Sequence, residues 1–148
     1  MKQTIRSNLF ETNSSSVHAI VLDDDLSKDF KLPDKMFFGF GYFGWDQGIV
    51  DPQDYIYTAA VQLERHDFID HLKEFLEFEN VEYIFQDKSD FKFSSHGIDH
   101  VYELNYFIDQ LKKDKQLLKS FLVTGQIFTG NDNESTVLPD NYYFYKSN

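Results

Sequence analysis

The chain contains no cysteine. Disulfides and thiolate metal sites are thereby excluded, and any bound metal has to be held by His, Asp, Glu or Asn. Basic residues are scarce as well: 14 Lys and Arg stand against 25 Asp and Glu, a formal net charge of -11. Such an excess disfavours direct binding to a nucleic-acid backbone and suits basic protein partners. No apolar run approaches the roughly 18 residues of a membrane helix, and the N-terminus lacks the apolar region of a signal peptide. These absences predict a cytoplasmic protein of its host cell, with no membrane contact. No internal repeat or linker breaks the chain.

Aromatic residues are abundant: 18% of the 148 residues, with 16 Phe and 9 Tyr. Each ring buries on the order of 150 to 250 Å², so residues 1–148 are expected to form one domain around one core. Lys2–Ile5 reads as a short strand. The alternation of Val17, Ala19 and Val21 against Ser16, His18 and Ile20 predicts a second over Val17–Leu22, ended by Asp23-Asp24-Asp25. Pro33-Asp34 turns the chain into Met36–Trp45, whose rings and glycines suit a half-buried strand with bulges or close backbone approaches. Asp51-Pro52 starts a helix to about Arg65, with Tyr55, Ile56, Ala59, Ala60 and Leu63 inward. Asp67 caps a second, with Phe68, Leu72, Phe75 and Leu76 buried.

Val81–Gln86 and Phe91–Phe93 alternate like strands. Val101, Leu104, Phe107, Ile108 and Leu111 form the stripe of a helix over Val101–Lys113. Asp114 opens a last helix that Gly125 ends. Gln126–Thr129 and Tyr142–Tyr145 complete the strands. The fold class is α+β, a mixed or antiparallel sheet of N- and C-terminal strands packed against three or four central helices.

Several patterns carry little chemistry. Gly39, Gly41 and Gly44 satisfy G-x-G-x-x-G, but no helix opens after them and no βαβ unit surrounds them. Asp23–Asp25 lack the alternate spacing of a calcium loop. His66 and His71 are five apart and read as surface histidines. No G-x-S-x-G elbow is present.

The informative stretch is Arg6–Leu22, centred on Glu11-Thr12-Asn13-Ser14-Ser15-Ser16-Val17-His18. It resembles the opening of a family of small proteins from bacteriophages and bacterial mobile elements, with an Arg, an aromatic, and Glu-Thr-Asn-Ser-Ser-Ser-x-His. Ile98-Asp99-His100 and Thr129-Gly130-Asn131-Asp132-Asn133 resemble further pieces of that family, and Trp45 falls in a Phe-Gly-Trp piece. The likeness covers most of the chain and implies an origin and a set of site residues, not a reaction.

If the three pieces meet, Glu11, His18, His100 and Asp132 offer two imidazoles and two carboxylates, a shell suited to Zn²⁺ or a similar divalent ion. Asn13, Ser14, Ser15, Ser16, Asp99, Asn131 and Asn133 would orient those ligands. The metal-free alternative makes His18 and His100 a base and acid in phosphoryl transfer. Two functions follow. One is a counter-defence protein of the anti-CRISPR type that inhibits a basic nucleic-acid-handling effector such as a Cas nuclease. The other is a metal- or His-dependent hydrolase or phosphoryl-transfer enzyme acting on a nucleotide or nucleic acid.

Overall fold

The computed structural model describes residues 16–42, 48–98, 101–131 and 143–146. The elements are β1 (Ser16–Val21), β2 (Lys35–Phe38), β3 (Gly48–Val50), α1 (Pro52–Gln62), α2 (His66–Phe78), β4 (Glu82–Phe85), α3 (Phe93–His96), α4 (Val101–Lys113), α5 (Lys115–Thr124), β5 (Gln126–Asn131) and β6 (Tyr143–Lys146). The class is α+β, as expected. Strands from both halves form an antiparallel sheet in the order β3-β5-β1-β6, while β2 and β4 pair in parallel as a second, smaller sheet. The expected strand at Lys2–Ile5 lies outside the described residues.

Strand β1 is central because its neighbours come from the chain's other end. Ile20 lies opposite Ile127 of β5, and both are fully buried in the core. Side chains two apart on a strand share a face, so His18 points to the same side as Ile20, toward the helices. Asp23 closes the strand: its carboxylate accepts the Asp25 N–H at 3.0 Å and holds Lys28 at 2.7 Å. The triple aspartate is thus a folded acidic turn.

The helices form where apolar residues recur at helical spacing. In α2 Phe68, Leu72, Phe75 and Leu76 are buried, and in α4 Leu104, Phe107, Ile108 and Leu111 are. Phe107 meets Phe121 of α5 edge to face at 5.2 Å, one of the contacts that joins the two helices. Val101 does not belong to that stripe: it is 47% exposed, because the stripe begins one turn later at Leu104.

Other boundaries differ for local reasons. Asp51 holds the N-cap position of α1 with Pro52 first in the helix, yet its side chain makes no capping bond. The helix ends at Gln62, short of Arg65, where Glu64 turns to a φ of 54°. Asp67 lies inside α2 and binds Arg65 and Lys112 instead of capping. Phe91–Phe93 is not a strand, since Phe93 opens the single turn α3, where the His96 Nδ1 accepts the Lys92 N–H at 2.9 Å. Of the strand expected over Met36–Trp45, residues 36–38 lie in β2, residues 39–42 are in no strand, and residues 43–45 lie outside the described residues. Beyond β2 the Gly39 and Gly41 amides are claimed by Asp54 and Thr58 of α1. Gly125 ends α5 with a φ of -68°, so freedom at positive φ is not its role. A Cβ there would fall 2.3 Å from the Phe121 carbonyl oxygen, and that contact requires glycine.

Candidate functional site

Antiparallel pairing brings the serine-rich and asparagine-rich pieces together. Ser16 lies opposite Asn131, Val17 opposite Gly130, and His18 opposite Thr129. Strand β5 therefore continues two residues past Thr129, and Gly130 and Asn131 belong to the ladder, not to a turn. The extra pairing arises because β1 supplies partners up to Ser16. At one level of the sheet the register aligns Gly48 of β3, Thr129 of β5, His18 of β1 and Tyr145 of β6. Gly48 adds no side chain to this row, and a Cβ placed there would lie 3.7 Å from the Thr129 hydroxyl.

His18 is 2% exposed. A buried imidazole needs hydrogen-bond partners, and its Nδ1 lies 3.0 Å from the Tyr55 hydroxyl on α1. The rings meet edge to face, with centroids 5.6 Å apart. Two tautomers fit this bond. If Nδ1 donates to the Tyr55 oxygen, the lone pair is on Nε2; if the hydroxyl donates, Nε2 carries the proton. The first suits a metal ligand or a proton acceptor, the second a structural ring.

The mid-chain piece is anchored to the same helix. The Gln62 side chain donates to the Ile98 carbonyl and accepts the Ile98 N–H, both at 2.7 Å. A side-chain amide thus reproduces the paired bonds of a strand neighbour. Tyr55 and Gln62 are two turns apart on α1, about 10 Å along its axis and on one face. Helix α1 therefore ties down His18 from the early piece and Ile98 from the middle piece, while β5 aligns the late piece with β1.

Of the expected ligands, His18 is described as above, whereas Glu11, His100 and Asp132 lie outside the described residues. So do Asn13, Ser14, Ser15, Asp99, Asn133 and Trp45. Among the described residues no group of three or more His, Asp or Glu is suited to hold a metal. His66 is exposed and contacts Lys88 at 3.3 Å; His71 is partly buried.

His96 forms a separate aromatic cluster, with ring centroids 5.3 Å from Phe40, 5.1 Å from Tyr42 and 5.7 Å from Phe91. Burial, then the Lys92 charge, lowers its pKa, in accord with an acceptor at Nδ1. In the sequence Tyr55 reads as a core residue, Gln62 is unmarked within the first helix, and Thr129 reads as a strand end that begins the late piece. Their signal was a polar tip on an apolar face, which has to find a partner when buried. No helix among the described residues is long and apolar enough to cross a membrane. Comparisons with protein-family models, curated proteins and solved structures find no match to this chain.

Proposed function

We propose that the protein is an acidic binding module that inhibits a basic nucleic-acid-handling effector, the counter-defence role implied by its likeness to phage and mobile-element proteins. The observation that carries this reading is a pair of solvent-facing rings on a strongly acidic molecule. Tyr102 and Tyr106 stand one turn apart on α4, 83% and 60% exposed, on a chain of net charge -11. Tyrosine offers large contact area at low entropic cost and anchors many interfaces. The acidic field steers basic proteins and repels free nucleic acid.

Burial of His18 weighs against the hydrolase or phosphoryl-transfer alternative, because a 2% exposed ring presents no face to a nucleotide. A structural divalent ion on His18 remains part of the proposal; of the two tautomers that fit the Nδ1 contact with Tyr55, it requires the one in which Nδ1 donates. Metal content of the purified protein tests that part.

The central test is a cleavage assay with a purified Cas nuclease. Stoichiometric inhibition, weakened by salt and by Tyr102→Ala, is expected. Absence of any complex with such effectors at low ionic strength, or nucleotide turnover lost in His18→Ala with the fold intact, would overturn the binding reading.

A further inference from the structure

Among the described residues, strand β2 is paired on one edge alone. In its parallel ladder with β4, the Glu82 N–H donates to the Asp34 carbonyl and the Gln86 N–H to the Phe38 carbonyl, both at 2.9 Å. Backbone groups alternate in direction along such a ladder. Asp34, Met36 and Phe38 therefore face β4, and the N–H and C=O of Lys35 and Phe37 face the opposite edge. Gly39 and Gly41 continue the same parity. Their N–H groups donate to Asp54 Oδ1 at 2.9 Å and to Thr58 Oγ1 at 3.0 Å, both on α1.

Helix α1 thus covers this edge from Gly39 onward, and its first turn is where the cover stops. Before that point lies a cleft of about 690 Å³, bounded by residues 31–37, by Asp51, Gln53 and Asp54, and by Leu122 and Val123 at the end of α5. The open backbone groups of Lys35 and Phe37 lie on the side where α1 and the cleft are. Pro33, with no N–H to offer, bounds the open stretch at its other end.

We propose that this edge of β2 takes up an extended, basic segment of a partner protein as a third strand. The inference rests on the acidic-binder reading and specifies a surface for it. Strand addition supplies main-chain hydrogen bonds, while side chains beside the edge select the partner. Three carboxylates, Asp34, Asp51 and Asp54, line the cleft against two ammonium groups, and one of these, Lys35, is drawn across the strand to Glu82 at 3.7 Å. The Asp51 carboxylate, which does not cap its own helix, is available to a cationic side chain. On the outer face Phe37 and Ile84 stand opposite each other, 53% and 54% exposed. They form an apolar shelf for alternate residues of an added strand.

The test is amide hydrogen exchange and peptide titration followed by NMR on the full chain. The probes are a short capped peptide of alternating Arg and Val, its backbone N-methylated analogue, and a version with Glu for Arg. With the Arg-Val peptide saturating, exchange at Lys35 and Phe37 is expected to slow by about tenfold or more. The N-methylated and Glu peptides are expected to bind about tenfold more weakly or worse. Phe37→Pro removes an N–H that points away from β4, and should weaken binding by about tenfold while the Phe38 and Ile84 amides keep their protection.

Peptide binding that leaves Lys35 and Phe37 unprotected overturns the edge inference and leaves the acidic-binder reading standing. Equal binding of the N-methylated peptide, or no binding of the Arg-Val peptide at low salt, also overturns it. Failure of the binder reading itself is read separately, from the nuclease assay.

Discussion

The Gln62 side chain links α1 to Ile98 of the mid-chain motif through two hydrogen bonds, and its removal has a calculable cost. Gln62→Ala deletes both 2.7 Å bonds to the Ile98 backbone without lowering helix propensity, since alanine is the best helix former. A neutral hydrogen bond contributes about 1 kcal/mol net, so the pair predicts a loss of about 2 kcal/mol. The groups are only partly buried, so water can reach them once the amide is gone. That keeps the loss near this value and away from the larger penalty for sealed, unpaired groups. For a chain of this length, the loss corresponds to a fall in Tm of about 4–8 °C. Gln62→Glu retains the acceptor for the Ile98 N–H but sets a carboxylate oxygen against the Ile98 carbonyl oxygen, so it should also be less stable than the wild type. Urea unfolding gives the global cost, and amide exchange at Ile98 gives the local one. A loss below about 0.5 kcal/mol in Gln62→Ala, with Ile98 exchange unchanged, would refute the claim that this amide holds the motif in place.

Other consequences are equally open to measurement. Burial and Lys92 hold the His96 pKa below its usual value in the folded state, so its contribution is complete above the unfolded pKa of about 6.5 and is lost as pH falls through the folded pKa. Urea midpoints taken from pH 7 downward should show this slope, and His96→Gln should flatten it. Arg65 holds Asp67, Asn105 and Asp109 at 2.6 to 3.0 Å; Arg65→Ala should cost about 1–2 kcal/mol by urea unfolding. Arg65 also depresses the Asp67 pKa, so that part of the stability is present above about pH 3.9 and lost as pH falls through the lower folded value. Acid titration of the Arg65→Ala variant should show less of this loss. Gly125→Ala places a Cβ 2.3 Å from the Phe121 carbonyl oxygen and should destabilise by about 1–3 kcal/mol as the α5–β5 junction shifts, readable as a lower Tm.

The helices were legible because their signal is local. Phe68, Leu72, Phe75 and Leu76 declare a buried face without reference to any other part of the chain. The Asp114 cap likewise accepts the Gln116 and Leu117 amides, at 3.0 and 3.1 Å, as its position before the apolar run predicts. Strands depend on partners, and there the sequence was less informative. Gly48–Val50 is too short to show alternation and becomes β3 only because β5 lies beside it. Phe91–Phe93 alternates like a strand but has none to pair with among the described residues, and Phe93 instead opens a helical turn in which the His96 Nδ1 accepts the Lys92 N–H.

The same division explains how much of the candidate site could be read. Chemistry-bearing residue types mark themselves, which is why His18 stood out, but the groups that govern its behaviour do not. Whether that ring can accept a proton or a metal turns on which way one hydrogen points in its bond to Tyr55. Tyr55 comes from a helix whose pattern announces only core. The pairing of Ser16 with Asn131 is set by the register of β1 against β5, fixed by burial of Ile20 and Ile127 four residue pairs away, because a slip of one residue would turn a core side chain to the wrong face. Likewise nothing in Lys35-Met36-Phe37-Phe38 tells which edge of that strand stays open. The answer lies in where α1 begins: with Pro52 as its first residue, Asp54 reaches Gly39, and Lys35 and Phe37, whose backbone groups share that edge, lie before the cover begins.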